Sequence, residues 1–479
     1  MLKKILFFMG ITVFWLLASC GSGSDETVPD NGGGGGSGGG GEVESSVLER
    51  YVDRPDANYA FNEYHSEREV GYDAYFLRMT SQQWRSVSEV DRPLWEHEVT
   101  IVIPQVALDS TDTAILLISG GSNDGTFKTE VDQAVGAAAI ASGAVLAVVG
   151  QVPNQPLYFA DENGVGRTED EILAYSMDKA LDTGDFEWAV HVAMTKAAVR
   201  AMDTVQTFAA SKGKSIKNFL VIGGSKRGWT TWLTAAVDPR IKAIAPASID
   251  MLNLGQQFIH QWEAYGFYGP AVGDYVAFDL PCRVQTPQGK ALLQVIDPYA
   301  YRDRYTMPKL LLNATGDQFF ITDSSHFYYA DLLGPKWLRY TPNTDHRQNE
   351  EVLINALSWI DDILDNKTSP QLNWVLEGNG TIRMTATTPP KAVKLWQATN
   401  PAARDFRLEA IGPVWTSQNL APAADGSYVG TVQQPPTGWT AFLIEATFAT
   451  AGVFEPDQVY STDVQIIPDT LPYAGTACK

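Results

Sequence analysis

The sequence predicts a large α/β domain with a mostly parallel sheet, followed by a smaller all-β domain. Two observations predict this. From Glu98 to Leu364, short and near-continuous apolar strands alternate with helical stretches, the pattern of a parallel sheet covered on both faces. Beyond residues 366–370 (NKTSP) the helical periodicity stops, and strand-like pieces separated by Pro- and Gly-rich turns replace it.

At 479 residues the chain is long enough for two or three domains and a large core. Its formal net charge of −21 argues against nucleic acid as a partner and against adhesion to anionic lipid. Residues 1–20 place Lys3 and Lys4 before an apolar run and end on small residues and a cysteine, the layout of a secretory signal. Leu17-Ala18-Ser19-Cys20 resembles a bacterial lipobox, in which Cys20 becomes the lipidated N-terminus. The alternatives are an ordinary signal cut nearby or an uncleaved anchor. The expectation is an exported protein held at the cell envelope, on the outer membrane, with no membrane contact beyond its lipid. Several acyl chains anchor firmly where one is marginal. Residues 21–42, rich in Gly and Ser, read as a flexible tether.

Cys282 and Cys478 remain, and pairing or free buried thiols are both open. The chain holds no CxxC or HExxH, and its six histidines are scattered. Neither a metal site nor a cofactor is expected.

The α/β domain is expected over residues 43–368. Strands are read at 99–103, 114–118 (AILLI) and 144–149, with a small-residue helix over 129–141 between the last two. Residues 187–210 form the clearest helix, with Val190, Met194, Ala197, Ala201, Val205 and Phe208 at three- and four-residue steps. Residues 219–222 (FLVI) are a strand, Gly223-Gly224 permit a tight turn, Ser225 sits at its tip, and a helix runs from Trp229 to Asp238-Pro239. Strand, turn, serine, helix is the context of a nucleophile elbow. The last glycine of G-x-S-x-G is displaced, however: Arg227 stands in its place and Gly228 follows. The bland alternative is an ordinary turn with Ser225 as N-cap.

Further strands are read at 241–245, 309–312 and 337–340, with a last helix over 350–364. Ligands on such sheets bind beyond the C-terminal strand ends. Asp317 follows one of these strands and His346 another, so Ser225, Asp317 and His346 stand in the Ser…Asp…His order of α/β-hydrolases. His346 would take the serine proton, and Asp317 would fix its tautomer and stabilise the imidazolium. Asp317 as a mere turn-former and His346 as a surface-loop residue are the alternatives. Asp250 and Asp323 are rival acids; His260 and His326 are weaker candidate bases. For the oxyanion, the backbone N–H of Lys226 is one expected donor, and Gly121 or Ser122 the second. The side chains of Lys226 and Arg227 suit either an acidic substrate group or a salt bridge.

Residues 251–306 lack the alternating pattern and are rich in aromatics, which reads as a partly helical lid or cap. Trp262, Tyr265 and Tyr268 are candidate substrate contacts there, and Asn154 in VPNQP is a candidate wall on another strand end. Most such rings, taken singly, are core of the lid.

The stretches LISGGSND, VPNQPL, GGSKRGWTTW, SIDMLN, NATGDQFF-x-x-DSS and PNTDH together resemble the PhoPQ-activated pathogenicity-related protein family, over residues 43–470. That family is similar to α/β-hydrolases and includes a secreted eukaryotic repressor of cell proliferation. The resemblance implies an exported α/β-hydrolase fold with a poorly defined natural substrate, and it supports Ser225, Asp317 and His346. Thr322 departs from the pattern, which has proline there. GGSKRG is also similar to the GCSRxG of glucuronoyl esterases, with Lys226 at the arginine position.

For residues 369–479 an immunoglobulin-like β-sandwich is expected, with strands at 381–386, 392–397, 428–432, 441–448 and 463–467. Trp374, Trp396, Trp415 and Trp439 read as packing. The sequence thus points to a serine hydrolase of esterase or peptidase type acting on a small-molecule ester, a peptide or a saccharide. The rival is a catalytically silent hydrolase scaffold used for binding or signalling.

Overall fold

The sheet starts earlier than the apolar patterning indicates. In a computed structural model, which describes residues 46–106, 112–450 and 456–479, β1 (Ala60–Glu69) and β2 (Tyr72–Gln83) form a hairpin that pairs antiparallel with β3 (Leu94–Pro104). The signal stretch, Cys20 and the tether lie outside the described residues. β4 (Thr113–Ile118) and β5 (Leu146–Val149) come next, then a short hairpin of β6 (Leu157–Tyr158) and β7 (Gly166–Arg167). β8 (Asn218–Gly224), β9 (Ile241–Ala247), β10 (Lys309–Ala314) and β11 (Lys336–Thr341) complete the set. Nine of these make one sheet in the order β1-β2-β3-β5-β4-β8-β9-β10-β11. From β5 to β11 every neighbouring pair is parallel.

Helices cover both faces, as the continuous apolar strands require. They are α1 (Val47–Asp53), α2 (Gln133–Ser142), α3 (Glu169–Thr183), α4 (His191–Ser211), α5 (Lys226–Val237), α6 (Leu254–Tyr265), α7 (Pro287–Ile296) and α8 (Glu350–Leu364). The stripe Met194, Ala197, Ala201, Val205 and Phe208 of α4 is buried in one core with α5, while Val352, Ala356, Trp359 and Ile360 of α8 are buried in the core on the other face. α2 starts later than its composition suggests because Asp132 caps it, its side chain accepting from the Ala134 N–H at 2.9 Å. α3 escaped the periodicity reading; a capping box, Thr168 with Glu171, opens it.

Residues 251–306, the expected lid, are helical through most of their length: α6, two single turns (Gly273–Val276 and Leu280–Arg283), α7 and the 3-10 turn Pro298–Arg304. Asp297 holds the start of α6, its carboxylate accepting from the Leu254 N–H at 2.7 Å and the Asn253 N–H at 3.2 Å.

After residue 369 the chain forms two antiparallel sheets. β12 (Leu372–Gly378), β13 (Thr381–Ala386) and β16 (Tyr428–Thr431) make a three-stranded one. β14 (Ala392–Asn400), β15 (Thr416–Asn419), β17 (Trp439–Phe448), β18 (Gln458–Ser461) and β19 (Gln465–Ile467) make a five-stranded one. This three-plus-five division does not establish the immunoglobulin-like arrangement expected for the region. Nor does the region stand apart from the first sheet: the Tyr340 N–H of β11 donates to Ser461 Oγ at 2.8 Å, and Trp337 Nε1 donates to the Pro370 carbonyl at 2.7 Å.

The final residues return to the lid. The Tyr473 N–H donates to the Glu263 carbonyl at 2.9 Å, the Gly475 N–H to Glu263 Oε1 at 2.6 Å, and Trp262 Nε1 to Thr476 Oγ1 at 3.0 Å. Cys478 is disulfide-bonded to Cys282, 196 residues away, which resolves the open question of their pairing. A cross-link over so long a loop restricts the unfolded chain strongly. Serine at both positions is expected to lower the unfolding free energy by about 2–4 kcal/mol. Denaturant titration under oxidising conditions measures this, and an unchanged midpoint would refute it.

Candidate active site

At the end of β8 the chain reverses into α5 with almost no clearance, and this explains the displaced glycines. A Cβ at Gly223 would collide with the Arg227 carbonyl and Thr231 Oγ1. A Cβ at Gly228 would lie 2.7 Å from Ile249 Cγ2 and 3.0 Å from the Gly223 carbonyl. Arg227 can occupy the position usually held by glycine because its guanidinium leaves the turn and passes over Gly120, where no Cβ would fit beside it. Ser225 itself has φ 55° and ψ −129°, outside the ordinary regions for a side-chain-bearing residue. Its N–H is held by the Ala247 carbonyl at 2.8 Å. The first helical N–H to find a partner within α5 is that of Trp229, bonded to the Ser225 carbonyl at 3.0 Å. The N–H groups before it open toward the serine end of the helix, where negative charge is favoured.

Three strand ends bring the sequence-derived residues together. His346 Nε2 lies 2.8 Å from Ser225 Oγ. His346 Nδ1 lies 2.8 Å from Asp317 Oδ2 and 3.1 Å from Oδ1. An ionised carboxylate only accepts, so Nδ1 carries the ring proton and Nε2 is free to accept from the serine hydroxyl. Asp317 Oδ1 also accepts the Phe319 N–H at 2.8 Å and the Phe320 N–H at 3.3 Å. Each residue of the DQFF run therefore acts on the histidine. Gln318 Oε1 accepts the His346 backbone N–H at 3.0 Å, and the rings of Phe319 and Phe320 lie 4.4 and 5.9 Å from the imidazole.

The rival acids and bases are engaged elsewhere. Asp323 pairs with His260 Nε2 at 2.9 Å and Arg404 Nη2 at 2.7 Å. Burial opposes its ionisation, but His260 and Arg404 hold the Asp323 carboxyl well below the usual range. His326 meets Asp463 at 3.2 Å and Gln465 at 2.9 Å. Asp250 accepts from Tyr328 Oη at 2.5 Å and from Tyr340 Oη, with Asp317 and Asp323 as further acidic neighbours.

Lys226 and Arg227 form a closed charge cluster. Lys226 Nζ lies 2.9 Å from Glu169 Oε2 and 3.0 Å from Asp170 Oδ2, and Arg227 grips Glu169 with both terminal nitrogens at 2.6 and 2.7 Å. Burial would raise the Glu169 pKa, yet Arg227 and Lys226 together hold that carboxyl well below its ordinary range. Burial would lower Lys226, yet Asp170 and Glu169 hold it above its ordinary value. Sequence reasoning missed these acids. The signal was the capping box TEDE, which places Glu169 and Asp170 in the first turn of α3.

Other expected contacts fall away from the cavity beside Ser225. That cavity, about 50 Å³, is lined chiefly by apolar side chains of α5, α6 and the Phe319–Phe320 segment. Trp262, Tyr265 and Tyr268 are not among its lining residues. Trp262 binds Thr476 of the C-terminal tail, Tyr265 packs beside Phe267 and the Arg407 guanidinium, and Tyr268 packs against Trp262 and Phe258. Asn154 is fully buried and ties loops together, donating to the Arg92 carbonyl at 3.1 Å and accepting from Asn123. Gly121 and Ser122 occupy the loop after β4; Gly121 has φ 125° and lies against Gln151, and neither lines the cavity. Among the described residues no cluster of three His, Cys, Asp or Glu side chains could hold a metal ion.

A serine elbow at the centre of a mostly parallel sheet, with acid and histidine past the ends of β10 and β11, defines an α/β-hydrolase-like protein. The chain belongs to the PhoPQ-activated pathogenicity-related protein family, whose profile matches residues 48–407. It is 33% identical over 459 residues to autocrine proliferation repressor protein A of Dictyostelium discoideum, covering 90% of this chain and 92% of the relative. Over 187 residues it is 25% identical to acetyl esterase Axe7A of Xylanibacter ruminicola, 38% of either chain. Among solved structures, acetyl xylan esterase 1 from Thermoanaerobacterium sp. superposes with a TM-score of 0.45 at 17% identity, covering 66% of this chain and 92% of that one.

Burial raises the Asp250 pKa to about 7, against the hydrogen bonds from Tyr328 and Tyr340. The folded protein thus keeps a proton that the unfolded chain releases near pH 4, about the reference value. Its contribution to stability is complete below that pH and is lost as pH rises toward about 7. The melting temperature of the wild type is therefore expected to fall more steeply between about pH 4 and pH 7 than that of Asp250→Asn. Scanning calorimetry across that range decides it, since parallel curves would mean that Asp250 is already ionised in the fold.

Proposed function

We propose that the protein is a serine esterase of the bacterial cell envelope, acting through Ser225, His346 and Asp317 and anchored by lipid on Cys20. The observation that carries this reading is the unbroken path from Ser225 Oγ through the imidazole of His346 to Asp317, with 2.8 Å at both links. In the first half-reaction His346 Nε2 takes the hydroxyl proton as Ser225 Oγ attacks the ester carbonyl. The Lys226 N–H, at the free start of α5, faces the developing oxyanion. Asp317 stabilises the imidazolium, which then protonates the leaving alcohol. Water repeats the sequence on the acyl-enzyme. The partial likeness to an acetyl esterase supports ester rather than amide substrates.

A fluorophosphonate probe should label Ser225, and Ser225→Ala should not be labelled. His346→Ala is expected to lower kcat for ester hydrolysis by roughly 10⁴-fold or more, as loss of a triad base does elsewhere. Absence of label on the wild type would transfer the protein to the binding or signalling class.

Anchoring rests on the lipobox-like Leu17-Ala18-Ser19-Cys20 and on the 22-residue Gly/Ser-rich run at 21–42 that follows it. In a bacterial host, Cys20→Ala should abolish incorporation of labelled palmitate and move the protein out of the membrane fraction. Unchanged fractionation would remove the lipid anchor from the proposal.

A further inference from the structure

We propose that the cavity against Ser225 accepts a short, uncharged acyl group and excludes both long acyl chains and acyl groups bearing a carboxylate. This deepens the esterase reading and rests on it. Size is the first argument. The cavity measures about 50 Å³, whereas an apolar cavity of about 150 Å³ is what benzene fills. On that scale about two carbon atoms fit. The walls are mostly apolar, with Trp229 of α5, Ile249 and Met251 after β9, Leu254 and Phe258 of α6, and Phe320 beside the acid, and the uncharged polar side chains Gln257, Gln261 and Ser324 among them.

The roof is also tied down, so the space is not readily enlarged. Asp297 caps the start of α6, while Glu263 near its other end receives the Tyr473 and Gly475 N–H groups. The segment bearing those two residues is linked onward to the lid by the Cys282–Cys478 disulfide.

Charge is the second argument. Asp170 and Lys226 are the charged residues on the cavity wall. Lys226 is already shared between Glu169 and Asp170, and Asp170 Oδ1 accepts from Tyr275 Oη at 2.9 Å. Two cations, Lys226 and Arg227, meet two carboxylates, Glu169 and Asp170, so the cluster is neutral. An incoming carboxylate would lose its water, face Asp170 and gain no unpaired cation.

The test uses the chain from residue 21 onward and a series of p-nitrophenyl esters: acetate, butyrate, octanoate and hemisuccinate. The nitrophenyl group is larger than benzene and too large for the cavity, so the series varies only the part that the proposal places there. In kcat/KM, acetate should exceed octanoate by about 100-fold or more, and butyrate should exceed the similarly long hemisuccinate by a comparable factor. Phe258→Ala should move the optimum toward butyrate. A flat or rising dependence on chain length would overturn the size limit, and hemisuccinate matching butyrate would overturn the charge exclusion. The wild-type series decides both even if the Phe258 variant fails to fold. A fluorophosphonate adduct on Ser225 with no turnover of these four esters would overturn this proposal, leaving esters of other acyl groups to the esterase reading. Neither adduct nor turnover would overturn the esterase reading beneath it.

Discussion

The relay between serine, histidine and acid depends on a compression at Gly316. A Cβ there would lie 2.8 Å from both Leu408 Cβ and the Thr344 carbonyl, so only glycine lets the three segments meet. The Gly316 N–H donates to the Thr344 carbonyl at 3.0 Å, and the Leu408 N–H donates to the Gly316 carbonyl at 3.0 Å. Gly316 precedes Asp317, and Thr344 lies two residues before His346, so this ladder fixes how far the acid stands from its base. Asn343 adds a second clamp: its amide donates to the Trp415 carbonyl and accepts the Trp415 N–H, both at 2.9 Å. Leu408 and Trp415 belong to the region after residue 369. That region is therefore a brace for the two loops that carry Asp317 and His346.

The charge cluster beside the serine works by a different logic. Lys226 and Arg227 directly follow Ser225 and look, in sequence, like anion receptors. Their burial makes that role costly, because a buried cation needs a partner within the protein. Glu169 and Asp170 are those partners. Arg227 also donates from Nε to the Val152 carbonyl at 2.6 Å, and Gln155 Nε2 reaches Glu169 Oε1 at 2.6 Å. The cluster thereby joins the elbow, the VPNQP loop and the start of α3. Glu169 is held at φ 51°, a conformation unfavourable for its side chain, and its bidentate grip on Arg227 is what offsets that strain.

Much of this site was legible in the sequence because its chemistry is local. The FLVIGGS run specifies strand, turn and serine by residue type alone, and Asp317 and His346 each sit a few residues past an apolar strand. The sheet was legible for the same reason from β3 onward. β1 and β2 were not, because β1 is largely exposed and gives no apolar run. α3 was missed although Leu173, Met177 and Leu181 recur at four-residue steps behind its acidic first turn. The lid aromatics were over-read: composition says that Trp262, Tyr265 and Tyr268 are in a lid, but not whether they face a cavity or the returning C-terminal tail. The bracing by Leu408 and Trp415 left no mark in the sequence. It consists of backbone groups meeting Gly316 and one asparagine across at least 70 residues, and backbone hydrogen bonds carry no residue signature.

Asp323 shows why lid, acid loop and C-terminal region behave as one unit. It is buried and stands between His260 of α6 and Arg404, which arrives from the loop after β14. Removing any one of the three would leave an uncompensated buried charge or dipole, a larger penalty than the pair contributes when intact. The lid is therefore held from inside by Asp323 and from outside by the tail and its disulfide, while the acid loop is held by Asp323 and by Gly316. A strained serine requires such over-determination: φ 55° at Ser225 persists only if its neighbours cannot relax around it. The C-terminal region supplies that rigidity to two of the three loops, and the Gly223–Gly228 contact with β8 supplies it to the third. On this account the all-β region and the nine-stranded sheet form a single packed body, in which the rigidity of one preserves the strain of the other.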